Sequence, residues 1–534
     1  MKAYVTTRMR PAVAGVLTAL AVVSFAAQGI AEPKHGGTLK MAINPEPPTL
    51  MVAVNPQTPV QIAGSKIYEG LLDYSFDLKP EPSLAKSWTV SADGLTYDFT
   101  LQDGVKWNDG EPFGANDVVF SFNKFLQETN VGVRNYMANV ESVTAKSPTE
   151  VSFKLKSPKP AFLYSFSAEQ APIVPEHVYK DEKDFRNSAK NDNPIGTGPF
   201  MLDEWKRGEY IKLKRNPNYW QRGRGKPYLD ALYFVVIPDS AARAAALENG
   251  DIDVTSFNDI EVFDIPRLKK LPNLKVSTEG YEYLSPMMWI DVNNRVKPLD
   301  DKRFRKAMMY AIDREFIKNE IWNGLGEVAV GPLARSTLFF DKTLQPYPFD
   351  PAKATQLLDE MGLKPDANGV RATIDMMPLP YGEVWSRMAE YVKQSLAKVG
   401  IAANLKGADV AGWRKMFADW DYGTTFTYGY QYADPAVRIG RTYTTDNIKQ
   451  GVPFNNSSGY SNPEIDKLFD DGAKEADPAR RAEIYSKIQH VLYDDLPVLW
   501  IMEMKFMTVT NARVHDLVTG GTGVVSSFAG AYVD

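Results

Sequence analysis

The 534-residue chain contains no cysteine. That excludes disulfides, a thiol nucleophile, cysteine metal sites and a lipid-anchored N-terminal cysteine. Histidine is scarce, with His35, His177, His490 and His515 the full set. No two of these stand at the short spacing that zinc sites use, so each reads as structural or exposed. No Gly-x-Ser-x-Gly nucleophile elbow occurs. Neither sign of charge dominates: 61 basic residues face 66 acidic ones, for a formal charge of −5. That mild acidity gives solubility and no reason to expect nucleic acid or an anionic membrane as partner. Internal repeats, heptad runs and low-complexity linkers are missing as well.

Long apolar runs are confined to the start. Lys2, Arg8 and Arg10 precede a mostly apolar stretch from Ala12 to Ala27, and Gly29-Ile30-Ala31 supplies small residues for a signal-peptidase site. The expectation is a signal peptide over 1–31, cleaved after Ala31, and a soluble exported protein. No later stretch approaches the roughly 18 unbroken apolar residues of a membrane span. Without disulfides such a chain must be held by a large core, and its length suggests two or three structural units.

What is present is an alternation of strands and helices. Thr38 to Ile43 reads as a first strand, running into the proline-rich loop Asn44-Pro45-Glu46-Pro47-Pro48. Ser91-Ala92-Asp93-Gly94 carries a hairpin turn signal before the alternating strand Thr96 to Leu101. Asn116-Asp117 is expected to cap a helix containing Val118, Val119, Phe120 and Phe122. Ala241 to Glu248 forms an alanine-rich helix stopped by Asn249-Gly250, with a strand starting at Ile252. Gly196-Thr197-Gly198-Pro199 is a turn and not a phosphate loop, because no lysine follows and Pro199 blocks the helix start. From Asp300 onward helices dominate, interrupted by strands at Arg371–Met377, Ala402–Lys406 and Pro497–Met502. Mixed α/β layers follow from this order.

One stretch stands out. Phe426, Tyr428, Tyr430 and Tyr432 recur at every second position, which is a strand period. Ala433-Asp434-Pro435 is expected to end that strand. Two readings fit: a wall of a binding cleft, or a core strand of a large sheet. The acidic cluster Glu464, Asp466, Asp470 and Asp471 reads as a solvated helix face. No catalytic constellation argues for an enzyme.

The order of motifs resembles the large solute-binding proteins of ABC importers, the peptide-binding type called family 5. The residues that carry the likeness are Tyr68-Glu69-Gly70-Leu71-Leu72, Leu84-Ala85-Lys86-Ser87-Trp88, Asp93-Gly94-Leu95-Thr96-Tyr97 and Leu101-Gln102-Asp103-Gly104-Val105-Lys106. They continue with Gly196-Thr197-Gly198-Pro199-Phe200, Arg215-Asn216-Pro217-Asn218-Tyr219-Trp220, Leu247-Glu248-Asn249-Gly250-Asp251-Ile252-Asp253, Ala311-Ile312-Asp313-Arg314 and Tyr460-Ser461-Asn462-Pro463-Glu464-Ile465-Asp466.

The resemblance implies a two-lobed α/β periplasmic-binding-protein fold. Lobe I would span 32–283 with an extra subdomain at about 67–189, lobe II 284–503, and 504–534 would return to lobe I. Two connecting strands would form the hinge. It also implies a periplasmic monomer without cofactor or metal, taking a small solute to permease subunits in the inner membrane. That solute would be a peptide or peptide-like compound, with an oligosaccharide or opine-type conjugate as the alternative. An exported hydrolase and a chaperone-like protein are competing classes.

For the site, the resemblance implies an aromatic wall with an aspartate for the ligand's ammonium group. Aligned through Asp434-Pro435, Tyr428 takes the family's tryptophan position and Gln431 the aspartate position. Asp434 could supply the anchor instead. Trp413 and Trp500 fall at cleft aromatics, while Tyr430 and Tyr432 extend the wall. Leu379, before Pro380-Tyr381, stands where dipeptide binders carry an arginine for the ligand carboxylate. With both charged anchors missing, ordinary dipeptides fit poorly, and longer, blocked or modified peptides fit better.

Overall fold

The computed structural model describes residues 33–257 and 259–534; the expected leader lies outside them. The described chain is built on two large sheets. Thr38–Ile43, the first expected strand, sits in the middle of a seven-stranded sheet, parallel to Ala231–Val236 on one side and to Val254–Thr255 on the other. Its residues Leu39, Met41 and Ile43 are buried, and so is Ala42 between them, so both faces are covered. The alanine-rich helix Ser240–Asn249 links two strands of this sheet. Asp239 caps it by accepting from Ala242 N–H at 2.7 Å, and Gly250 closes it at φ 79°.

The second sheet has six strands in the order Gly326–Val328, Val498–Met504, Met287–Val292, Thr424–Gly429, Ala372–Met377 and Ile401–Leu405. Val498–Met504 is buried along its whole length, as a central strand between helical layers must be. A four-stranded antiparallel sheet, which includes the expected hairpin strand Thr96–Leu101, forms a separate layer between residues 85 and 155. The Gly-Thr-Gly turn packs on the backbone of Ile67: a Cβ at Gly196 would lie 1.9 Å from the Ile67 carbonyl oxygen. That contact explains the glycine without any ligand.

The chain passes between the two large sheets twice, once after Leu274–Ser277 and once between Val498–Met504 and Thr508–Asn511. Neither passage is a strand, contrary to the expected hinge strands. The first is a run of turns in which Ser285 adopts φ 44°, and the second is Lys505-Phe506-Met507. They are tied together by Tyr281, whose hydroxyl lies 3.1 Å from the Met507 carbonyl and 2.9 Å from Thr508 Oγ1.

Two local expectations need correction. The helix expected to be capped by Asn116-Asp117 starts at Ala115, and Asp117 lies inside its first turn. There its carboxylate accepts from Gly114 N–H and Glu176 N–H, both at 2.9 Å. The aromatic strand ends at Gly429 and not at Asp434-Pro435, because Tyr432 and Ala433 adopt φ 53° and 61°. Among the described residues no helix is long and apolar enough to cross a membrane.

Candidate functional site

A cleft of about 300 Å³ opens at the end of the six-stranded sheet. Its floor is one face of two paired strands. Met287 pairs with Gly429 and Trp289 with Thr427, and all four line the cleft. The absence of a side chain at Gly429 leaves room for the Trp289 ring, whose Cη2 would lie 3.0 Å from a Cβ there. Trp289 Nε1 donates to Asp291 Oδ2 at 3.2 Å, which fixes the ring's edge. Thr58, from the helix Thr58–Gly64 that follows the first strand of the seven-stranded sheet, lines the cleft as well.

The alternating aromatics divide. Phe426 is fully buried in the core. Tyr428 stacks on Trp385 of the helix Glu383–Ala397 at 5.8 Å and reaches the cleft with the rest of its ring. Tyr430 also lines the cleft and meets Phe506, in the second passage between the sheets, at 6.1 Å. Burial pushes the phenols of Tyr428 and Tyr430 above their ordinary range, so both remain neutral donors. Tyr432 lies outside the lining, edge-on to Tyr283 at 5.8 Å. Of the four rings, Phe426 belongs to the core, Tyr428 and Tyr430 line the cleft, and Tyr432 does neither fully.

Gln431 lines the cleft, but its amide is committed to the protein. Oε1 accepts from Ala334 N–H at 2.9 Å and from Thr337 Oγ1 at 2.6 Å, and Nε2 donates to the Pro332 carbonyl at 2.9 Å. It pins the 332–337 loop. Asp434 lies outside the cleft lining, fully buried, with Arg481 on both carboxylate oxygens. Leu379 and Tyr381 line the rim, Leu379 buried and Tyr381 42 % exposed. Trp413 and Trp500 are buried behind the cleft and do not line it. Trp413 Nε1 donates to Thr425 Oγ1 at 2.9 Å, and Trp500 Nε1 to the Tyr443 hydroxyl at 2.9 Å.

Several lining residues carry no distinguishing sequence signal. Trp289 sits in the apolar run Met287-Met288-Trp289-Ile290, which has no period to assign a face. Arg438 and Arg441 lie in the short turns after Asp434-Pro435 and point to the same cleft. Burial first, and Arg438 second, pull the Arg441 guanidinium down to about 9. Among the described residues no group of His, Cys, Asp and Glu could hold a metal ion.

The family model for bacterial extracellular solute-binding proteins, family 5 (middle), matches residues 79–450. Di/tripeptide-binding protein 1 of Pseudomonas aeruginosa is 29% identical over 461 residues, covering 82% of this chain and 82% of that protein. The ABC transporter substrate-binding protein CtaP of Listeria monocytogenes superposes with a TM-score of 0.83 at 28% identity, over 94% of this chain and all of that one. The oligopeptide-binding protein AppA of Bacillus subtilis, solved with a nonapeptide, gives 0.77 at 25% identity over 94% of this chain. With its two-lobed α/β architecture, this chain belongs to the bacterial extracellular solute-binding proteins, family 5.

Proposed function

We propose that this protein is the periplasmic receptor of an ABC importer and that it encloses a peptide or peptide-like solute in the cleft lined by Trp289, Tyr381, Tyr428 and Tyr430. The observation that carries this reading is the position of the cleft. Thr58 comes from the side of one sheet and the aromatic floor from the other, so closure about the two passages would bury a ligand on both sides. The names of the relatives, which bind dipeptides, tripeptides and longer peptides, support the ligand class. Lobe I would comprise 32–283 with its subdomain at about 67–189, lobe II 284–503, and 504–534 would return to lobe I. The leader is removed after Ala31, and the mature monomer hands its solute to permease subunits in the inner membrane. Native mass spectrometry of gently purified protein should show a stoichiometric small ligand of peptide mass. A protein that carries none, and whose melting curve no peptide shifts, would overturn the reading.

A further inference from the structure

The charges in the cleft are one-sided. Arg438 and Arg441 both line it, both are half-buried, and they stand three residues apart on consecutive turns. Among the described residues neither guanidinium has a carboxylate at ion-pair distance or donates a hydrogen bond to the protein. Arg438 faces the ring of Tyr432 at 5.1 Å. Burial and the like charge of Arg438 work against the charge on Arg441, and the phenol of Tyr432 favours it.

The carboxylates nearby are already engaged. Asp434 is held by Arg481, Glu503 by Arg335, and Asp291 accepts from Trp289 Nε1 and the Tyr422 hydroxyl. Glu383 is exposed and lies outside the cleft lining. The lining itself contains no acidic residue. Two partly desolvated cations without counter-ions are unfavourable in an empty cleft, and the arrangement is resolved when a ligand brings the missing anion. Guanidinium forks suit oxyanions in particular, since their paired N–H groups match two oxygens.

We propose that the solute carries an oxyanion, a carboxylate in the case of a peptide, held in the cleft by Arg438 and Arg441, and that it needs no free amine. This rests on the cleft being the solute site, as proposed above. It makes the ligand an anion in a protein whose formal charge is −5, so the selection is local.

The test uses N-acetylated tripeptides with Glu or Gln in the centre and a free or amidated C-terminus, so that the carboxylate is terminal, side-chain, both or absent. Glucuronate and glucose serve as a non-peptide pair. Titration calorimetry with the mature protein should show binding of the carboxylate-bearing tripeptides and a loss of about tenfold or more for the uncharged one. Arg441→Gln should abolish that discrimination, and Arg441→Lys should restore part of it. The ligand-free melting temperature should not fall, because no protein partner is lost. Should Arg441→Gln fail to fold, Arg438→Gln serves, since its guanidinium faces the Tyr432 ring at 5.1 Å and, among the described residues, donates no hydrogen bond. Equal binding of charged and uncharged tripeptides would overturn the oxyanion inference and leave the peptide reading standing. Binding of glucuronate over glucose, lost in Arg441→Gln, with no tripeptide bound, would uphold the oxyanion and overturn the peptide. No binding in either series would overturn the inference that an oxyanion suffices without a free amine, and the peptide reading would fall with it only if free-amine peptides also leave the melting curve unshifted.

Discussion

Asp434 and Arg481 form a buried two-point ion pair, with Arg481 Nη1 on one carboxylate oxygen at 2.6 Å and Nη2 on the other at 2.7 Å. Arg481 also donates its Nε to the Gly472 carbonyl at 2.8 Å, and its guanidinium lies over the rings of Phe339 and Tyr485. The pair locks the turn after the aromatic strand to the helix Pro478–Asp495. Removing one partner strands the other charge in the interior. Asp434→Ala should lower stability by about 3–5 kcal/mol in denaturant titrations. It should leave the preference between free-amine and blocked peptides unchanged, and a variant with intact stability but altered amine preference would show that Asp434 is the ligand anchor after all.

Gln431 gives a second prediction. Gln431→Glu keeps the acceptor for Ala334 N–H and Thr337 Oγ1 but turns a donor into a second acceptor facing the Pro332 carbonyl. Stability should drop by about 1–3 kcal/mol at pH 7. Protonation of the new carboxyl restores the donor, so the loss should shrink at pH 5. Equal losses at the two pH values would show that the 332–337 loop does not depend on this amide.

How far the sequence carried this picture depended on the range of the interactions involved. Thr38–Ile43 and Thr96–Leu101 were legible because alternation and turn residues are local signals. The early end of the aromatic strand was not, since the left-handed turn at Tyr432 and Ala433 is imposed on residues that rarely adopt it. Gln431 N–H reaches the Leu284 carbonyl at 2.8 Å, far away in the chain, and that contact helps hold the turn. Asp434 was the alternative to Gln431 as the ammonium anchor, yet its partner Arg481 lies 47 residues on in another helix. The arginines of the cleft are illegible in the sequence for the converse reason: charges in a short turn read as solvated, and only the fold shows what they lack.

The buried carboxyls of Glu69 and Glu169 make stability depend on pH. Burial pushes the carboxyls of Glu69 and Glu169 up to about 7, although Glu69 accepts from Trp220 Nε1 at 3.1 Å. Glu169 has a buried oxygen with no partner, as suits a protonated acid. Between the ordinary carboxylate range and about 7, the folded chain holds protons that the unfolded chain has lost. Their contribution is therefore full at the acid end of that window and is lost as pH rises through it. The melting temperature should be lower at pH 8 than at pH 5.5, and Glu169→Gln should flatten the slope. A slope that Glu169→Gln and Glu69→Gln both leave unchanged would refute this origin.

Closure is testable independently of ligand chemistry. A solute that touches Thr58 on one side and the aromatic floor on the other favours the closed state by its differential affinity. Small-angle scattering should give a smaller radius of gyration with saturating ligand than without. Superimposable curves at saturation would rule out closure.

The last prediction separates the floor of the cleft from its support. Trp289 presents its ring to the cleft beside Gly429, whereas Trp413 is fully buried behind the lining, stacked on Phe417 at 5.1 Å. Trp289→Ala should weaken binding by about 1–3 kcal/mol, the scale of one buried aromatic contact, with a modest change in stability. Gly429→Ala should act in the same direction, because the added methyl meets Trp289 Cη2 at 3.0 Å and displaces the ring. Trp413→Ala should instead lower stability by about 3–5 kcal/mol, through the cavity it leaves and the lost bond to Thr425 Oγ1. Calorimetry for binding and denaturant titration for stability, run on all three variants, read the two effects separately. If Trp289→Ala binds as the unmodified protein does while Trp413→Ala loses binding at full stability, the ligand lies deeper on the same face of the sheet, against the Trp413 and Phe417 rings.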